Sequence, residues 1–336
     1  LSNFGLQYNH LILAVTPDNP AKLAVRVSDG NHPLYISTNY GSNLTYVSDL
    51  PEDAVLFISP TNENVIYTGY MNIYASPDNG ITWNMLTYWY YNPPYEEVHA
   101  DQRNVVYNPL NPDKIYFCND GGVYHFTEST YNWANISDGL VITQFYRIAV
   151  SQLDPMMMMG GTQDNGGRLR MTSGNWRSTN GGDAMEVAID PTNDDIIYTT
   201  YINGKLYRSY DRWFTDTYYC ISDNIPGGTP NGSWIAPYMI DPSDPNVIVA
   251  GYDDVWRSTD RGATWSALST NIAGGSTLEC LAVAPSDPYT IYCSAGSTMY
   301  KTTDLGANWS TVVVPGTVGI TSITVHPTNP NQLWIT

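Results

Sequence analysis

Ser258-Thr259-Asp260-Arg261-Gly262-Ala263-Thr264-Trp265 decides the fold, because the same pattern, Ser-x-Asp-x-Gly-x-Thr-Trp, returns along the chain. Ser76-Pro77-Asp78-Asn79-Gly80-Ile81-Thr82-Trp83 is a close copy, and Thr302-Thr303-Asp304-Leu305-Gly306-Ala307-Asn308-Trp309 is a third. Each follows a short strand-like pair: Ile73-Tyr74, Val255-Trp256 or Met299-Tyr300. The residue types suit a tight hairpin. The Asp carboxylate accepts backbone N–H groups across the turn, the Gly takes φ > 0 without a Cβ clash, and the Trp buries a large apolar body beside it.

A second repeat runs under the first: an apolar run ending in Pro, a short Asp/Asn/Pro turn, then another apolar run. Its copies are Leu11 to Pro17, Ala54 to Pro60, Asn104 to Pro109, Arg147 to Gln152, Met185 to Pro191, Ala236 to Pro242, Cys280 to Pro285 and Ser322 to Pro327, the fourth with Gln152 where the others have Pro. They start roughly 40–50 residues apart, the period of a four-stranded propeller blade. The order within a repeat predicts strand a, Pro turn, strand b, Gly-containing turn, strand c, Asp turn, strand d. The expectation is an all-β chain, a seven- or eight-bladed β-propeller of four-stranded antiparallel blades, as a single domain over 1–336. The Asp turn is worn in blade 1 (Ser37-Thr38-Asn39-Tyr40-Gly41), nearly gone in blade 3, reduced to Trp176 in blade 4, and diverges after Ser209-Tyr210-Asp211 in blade 5. Leu1-Ser2-Asn3-Phe4-Gly5-Leu6 echoes Ile136-Ser137-Asp138-Gly139-Leu140 at the end of blade 3. The chain thus reads as opening on the tail of one blade and closing on the first half of another, a segment of a longer secreted protein whose other domains would be its partners.

Composition narrows the function. With 14 Lys+Arg against 32 Asp+Glu, the net charge of −18 leaves no basic stripe for nucleic acid. No apolar run approaches the roughly 18 residues of a membrane helix. Tyr (27) and Trp (10) are abundant while charged residues are only 14%, a composition suited to a β-rich extracellular protein. Cys280 and Cys293 flank a hairpin turn and could face each other; free buried thiols are the alternative. Met156–Met159 reads as strand b of blade 4, packed in the core.

Alternation of strand direction tells where the loops point. The a–b and c–d turns share one end of the blades; the b–c turns and the links between blades share the other. Four unusual segments fall on that second end: His99-Ala100-Asp101-Gln102, Asn119-Asp120-Gly121-Gly122, Gly161-Thr162-Gln163-Asp164-Asn165-Gly166-Gly167 and Gly181-Gly182-Asp183. Trp89, Tyr90 and Tyr91 lie in the link before His99. Aromatic platforms beside carboxylates and amides suit sugar rings, so Trp89, Tyr90, Tyr91, His99, Asp101, Gln163 and Asp164 are candidate ligand contacts. Asp101, Asp120, Asp164 and Asp183 supply only oxygen, which suits Ca²⁺. Equally, Asp-Gly and Asn-Gly pairs are ordinary turn chemistry, and His99 and Asp101 could simply tie blade 2 to blade 3.

The repeats resemble the Asp-box propellers of sortilin-type (VPS10) domains, of glycoside hydrolase 74 xyloglucanases and of large secreted Bacteroidota proteins. That resemblance implies structural Asp turns lying away from the ligand site, and export by the type 9 system. The run Ile115 to Tyr124 resembles a xyloglucanase segment with a catalytic Asp. By that resemblance Asp120 would be one carboxylate of an inverting pair, with Asp183 or Asp164 as its partner. Phe145-Tyr146-Arg147-Ile148-Ala149 echoes a sialidase Arg motif, with Ala149 in place of Pro. The leading expectation is a secreted or surface binding or scaffold module with a polysaccharide or protein ligand. A β-glucan hydrolase is the alternative.

Overall fold

The computed structural model describes residues 11–27, 31–140, 142–215, 217–316 and 319–336; the Leu1–Leu6 echo lies outside them. The chain gathers into two compact units, Leu1–Ile142 and Thr143–Thr336, each described by itself.

Unit 1 holds three four-stranded antiparallel meanders. Blade 1 is Leu11–Val15, Leu23–Val27, Pro33–Ser37 and Thr45–Asp49; blade 2 is Val55–Ile58, Ile66–Gly69, Ile73–Ser76 and Asn84–Met85; blade 3 is Asn104–Asn108, Asn111–Asn119, Gly122–Thr127 and Asn132–Asn135. Unit 2 holds four more. Blade 4 is Arg147–Val150, Met158–Gly161, Gly167–Arg170 and Trp176–Ser178; blade 5 is Val187–Ile189, Ile197–Thr200, Leu206–Ser209 and Tyr218–Cys220. Blade 6 is Tyr238–Asp241, Asp244–Gly251, Val255–Ser258 and Ser266–Ala267; blade 7 is Cys280–Ala284, Asp287–Ala295, Thr298–Thr302 and Ser310–Val312. A hairpin, Ile323–His326 with Asn329–Ile335, follows. In every blade the strands pair in chain order a-b-c-d, the expected β-propeller blade. The eight apolar runs predicted as strand a each contain one.

The core lies between successive sheets. Ala14, Ala24 and Leu34 of blade 1 pack on Leu56, Ile58 and Ile66 of blade 2. Tyr198 and Leu206 of blade 5 pack on Tyr238, Ile248 and Ala250 of blade 6. Strand b, covered on both faces, is buried throughout at Ile66–Gly69 and Ile197–Thr200, so its residues are apolar or small. Each large side chain so buried contributes roughly 1.5–3 kcal/mol. The expectation that Met156–Met159 is strand b in the core is corrected: only Met158 and Met159 fall in the strand, Met157 and Met159 are buried, and Met156 lies in the preceding turn and is exposed.

The Asp turns form a regular circuit. In blade 6, Gly262 N–H donates to Ser258 Oγ (2.7 Å), while Thr264 N–H and Oγ1 donate to the Asp260 carboxylate (2.8 and 2.6 Å). Blades 2 and 7 repeat it around Asp78 and Asp304. The hydrogen bonds of Thr82 hold Asp78, and those of Asn308 hold Asp304, below the usual carboxylate range. The residue after each Asp adopts φ > 0, as at Arg261 (57°), and donates to the a–b turn of its own blade: Asn79 to Asn64 O, Arg261 to Asn246 O, Leu305 to Tyr289 O. The a–b and c–d turns therefore share an end, as alternation required.

The motif glycine has a second use. A Cβ on Gly80 would meet Leu34 at 2.4 Å, on Gly262 it would meet Ile221 at 2.5 Å, and on Gly306 the Leu268 carbonyl at 2.2 Å. In each case the obstacle belongs to the preceding blade or the link leaving it. The Trp staples the same joint: Trp265 Nε1 donates to Ile221 O (2.9 Å) and Trp309 Nε1 to Leu268 O (2.8 Å).

Blade 5 diverges from the motif after Asp211 in sequence, yet it keeps the turn's hydrogen bonds. Trp213 N–H donates to Ser209 Oγ (3.0 Å), Thr215 N–H and Oγ1 donate to Asp211, and the hydrogen bonds of Thr215 and Ser209 hold the Asp211 carboxyl down at about 2. The glycine position is simply occupied by Trp213 at φ 66°, which a reading based on Gly misses. Cys280 and Cys293 are free and buried. Cys280 pairs with Ser294 and Cys293 with Leu281, so strand alternation turns the two thiols to opposite faces.

Candidate functional site

In unit 1 the b–c turn of blade 3 and the link from blade 2 meet at the end opposite the Asp turns. The Asp120-Gly121 turn is tight because Asn119 pairs with Gly122. A Cβ on Gly121 would sit 2.4 Å from His99, so the absence of a side chain lets the His99 ring in. Gln102, buried, donates to His99 O (2.6 Å), while its own N–H donates to Tyr70 O. His99 and Gln102 thus brace blade 2 against blade 3.

Around that brace stand Asp101, Asp120, Arg103 and Tyr70. Arg103 grips Asp120 with both arms, Nε to Oδ1 at 2.7 Å and Nη2 to Oδ2 at 2.6 Å, the strong bidentate form of an ion pair. The pairing raises the guanidinium above its usual range. Asp101, at φ 61°, raises the Tyr70 phenol through space and by a hydrogen bond. Arg103 and Tyr70 were missing from the sequence reading, since a lone exposed Arg and a turn Tyr carry no pattern.

The aromatic segment stands on the same end. Thr87–Tyr88 pairs in parallel with Glu96–Glu97, so residues 89–95 form a closed loop. Trp89 N–H donates to Asn72 Oδ1 (3.2 Å) in the b–c turn of blade 2, two residues from Tyr70. Trp89 and Tyr90 pack edge to face at 4.7 Å, as do Tyr88 and Tyr90. Trp89, Tyr90 and Tyr91 stay exposed, Tyr91 at 77%. Unit 1 therefore brings Trp89, Tyr90, Tyr91, His99, Asp101 and Asp120 to one end.

In unit 2 the corresponding end joins Gln163, Asp164 and Asp183. Asp164 N–H donates to Asp183 Oδ1 (2.9 Å), and Asn180 Nδ2 donates to Asp183 O (3.1 Å). Tyr146 O–H donates to Gln163 Oε1, and Trp234 Nε1 donates to Tyr146 Oη (3.4 Å). Beside them Arg147 Nε donates to Glu186 Oε2 (3.1 Å). Burial pushes the Glu186 carboxyl up to about 7, with Arg147 pulling it back. Tyr146, Trp234 and Glu186 were also unread; the only signal was the Phe145–Ala149 echo, which pointed elsewhere. Asp120 belongs to unit 1, and Asp164 and Asp183 belong to unit 2.

No family model matches the chain. A xyloglucanase of Acetivibrio thermocellus is 31% identical over 153 residues, covering 39% of this chain and 18% of that protein. A xyloglucanase of a Paenibacillus species is 26% identical over 255 residues, covering 63% and 21%. The chain thus spans about a fifth of the length of these curated relatives. Among solved structures, the extracellular domain of a putative one-component system from B. thetaiotaomicron aligns at TM-score 0.46 and 11% identity, covering 84% of this chain and 37% of that one. Among the described residues no helix is long and apolar enough to cross a membrane.

Proposed function

We propose that the chain is a secreted or surface-displayed Asp-box propeller module that binds a neutral glycan. The observation that carries this reading is the exposed ledge of Trp89, Tyr90 and Tyr91, with Trp89 and Tyr90 packed edge to face, set on the same end of unit 1 as Asp101, Arg103 and Asp120. Flat rings take the apolar face of a sugar while the polar groups take its hydroxyls. A charge of −18 disfavours an anionic ligand. Trp89→Ala should weaken binding on a glycan array by about 1–3 kcal/mol, the scale of base stacking on aromatic side chains, with no reducing ends released. An unchanged array profile in Trp89→Ala would remove the ledge from the reading.

The second reading is an inverting β-glucan hydrolase with Asp120 and either Asp183 or Asp164, and the likeness to xyloglucanases favours it. Inversion needs one carboxyl protonated and one ionised, while both Asp120 oxygens are engaged by Arg103. Xyloglucan hydrolysis abolished by Asp120→Asn would establish this reading over the first. Ca²⁺ bound through link-end carboxylates, Asp101 and Asp120 in unit 1 and Asp164 and Asp183 in unit 2, is a further part of the proposal. The oxygen donors fit that ion, Arg103 competes for Asp120, and a melting temperature moved by chelator is its check.

A further inference from the structure

The flank of blade 7 carries an open groove of about 250 Å³, remote in sequence from every residue of the proposed glycan ledge. Tyr300 and Trp309 form its aromatic side, and Thr270, Ser310 and Thr311 its hydroxyl side. Trp309 is held by its N–H on Leu268 O, which spends the polar edge of the indole and fixes the ring. Tyr300 lies opposite Thr311 in the strand c–d register, so both present to one face of the sheet. Among the described residues, the hydroxyls of Tyr300, Thr270 and Thr311 have no hydrogen-bond partner, while Ser269 beside them is spent on Asp254 (2.6 Å). No charged residue lines the groove.

We infer that this groove is a second saccharide subsite, taking one neutral sugar ring between Tyr300, Trp309 and the Thr270 and Thr311 hydroxyls. The aromatic rings offer stacking area, and the fixed Trp309 does so at little entropic cost. The free hydroxyls beside them both donate and accept, as sugar hydroxyls demand. The uncharged lining gives an ion nothing to pair with. A volume of about 250 Å³ falls below the 300–1,000 Å³ of drug-sized pockets, which suits a single ring with the rest of a chain passing outside.

The test is isothermal titration with cellotetraose, xylotetraose and mannotetraose in a Trp89→Ala/Tyr90→Ala/Tyr91→Ala background, which removes the unit 1 ledge and so separates the two sites. At least one of the three is expected to bind there. Thr311→Arg, at an exposed strand position, lays a charged chain across the groove and should weaken that binding at least tenfold. Thr270→Arg, in the link that also lines the groove, should do the same, and melting curves confirm that each variant is folded. Absence of binding by all three sugars in that background, or equal affinity with and without Thr311→Arg and Thr270→Arg, overturns the subsite. Loss of the Trp89 effect alone leaves it standing.

Discussion

At one end of unit 2, Asp211, Asp260 and Asp304 each accept a hydrogen bond from the residue four places on. At the other end, Tyr146 reaches Gln163, Arg147 reaches Glu186 and Trp234 reaches Tyr146, across 17, 39 and 88 residues. The first end is built from self-contained turns whose polar groups are satisfied within one motif. The second is assembled from links whose partners meet only once the blades are stacked. Repetition and lowered carboxyls gather at the Asp turns; polar variety, exposed aromatic surface and a raised carboxyl gather opposite. That contrast is the physical ground for the proposed binding at the link end, because a turn that has spent its donors and acceptors on itself has few left for a ligand.

Blade 5 gives the largest test. Trp213 stands where the other turns have Gly, stacks on Tyr218 at 4.7 Å, and packs with Met157, Met159 and Leu169 of blade 4. It fills the joint that Trp265 and Trp309 fill in their blades, from three positions earlier in the motif. The Arg177 guanidinium clasps its carbonyl. Trp213→Ala should cost about 3–5 kcal/mol by urea unfolding, as for other buried Trp truncations. A loss under about 1 kcal/mol would mean that the joint is held by something else.

Gly306→Ala comes next, at about 2–4 kcal/mol: an L-residue at φ 85° costs roughly 1–2, and its Cβ must displace the Leu268 carbonyl. Equal stability in the variant would show that Leu268 can yield and that the glycine serves conformation alone.

These two sites also mark what was legible. The blade pattern was readable because strand alternation, Pro turns and Asp turns are local and repeated eight or three times over. Trp213 was not, because the same packing was met by a residue displaced within the motif. Arg103 and Glu186 were invisible for a different reason: a charged residue shows its role only through its partner, and the partners Asp120 and Arg147 are 17 and 39 residues away. The ledge Trp89-Tyr90-Tyr91 was readable as composition; its hold on Asn72 was not.

Glu186→Gln probes the link end. The folded state keeps the Glu186 proton to about 7, while the unfolded chain releases it near the ordinary value of about 4.3. Between those pH values unfolding releases a proton, so stability falls as pH rises and the full cost is present above 7. The cost is on the order of 2 kcal/mol after allowance for partial exposure. Melting curves at pH 5, 6.5 and 8 should show the wild type losing stability that Glu186→Gln keeps. Parallel curves would mean that Glu186 is ionised throughout.

Asp260→Asn should give the smallest change, with the opposite sign in pH. Desolvation pushes the Asp260 carboxyl up, but the hydrogen bonds from Thr264 and Ser258 together outweigh it, so it lies below the ordinary range. A lowered carboxyl stabilises the fold above its unfolded value, near 4, and that stability disappears as pH falls through the folded value. Blade 1 already shows what an amide does in this place: Asn39 Oδ1 accepts from Ser37 Oγ and from Asn43 N–H, both at 2.9 Å. In Asp260→Asn the amide oxygen can keep the N–H bond from Thr264 and lose only the charge assistance. At pH 7 the variant should therefore be less stable by under about 1 kcal/mol, exposure screening the charge. Wild type and variant should converge as pH drops from 4 toward 2. A gap that persists at pH 2 would show that the amide disturbs the turn by more than the lost charge. A gap well above 1 kcal/mol at pH 7 that closes on acidification would show that the turn depends on the carboxylate itself, and that the worn copy in blade 1 is held by its neighbours rather than by its own circuit.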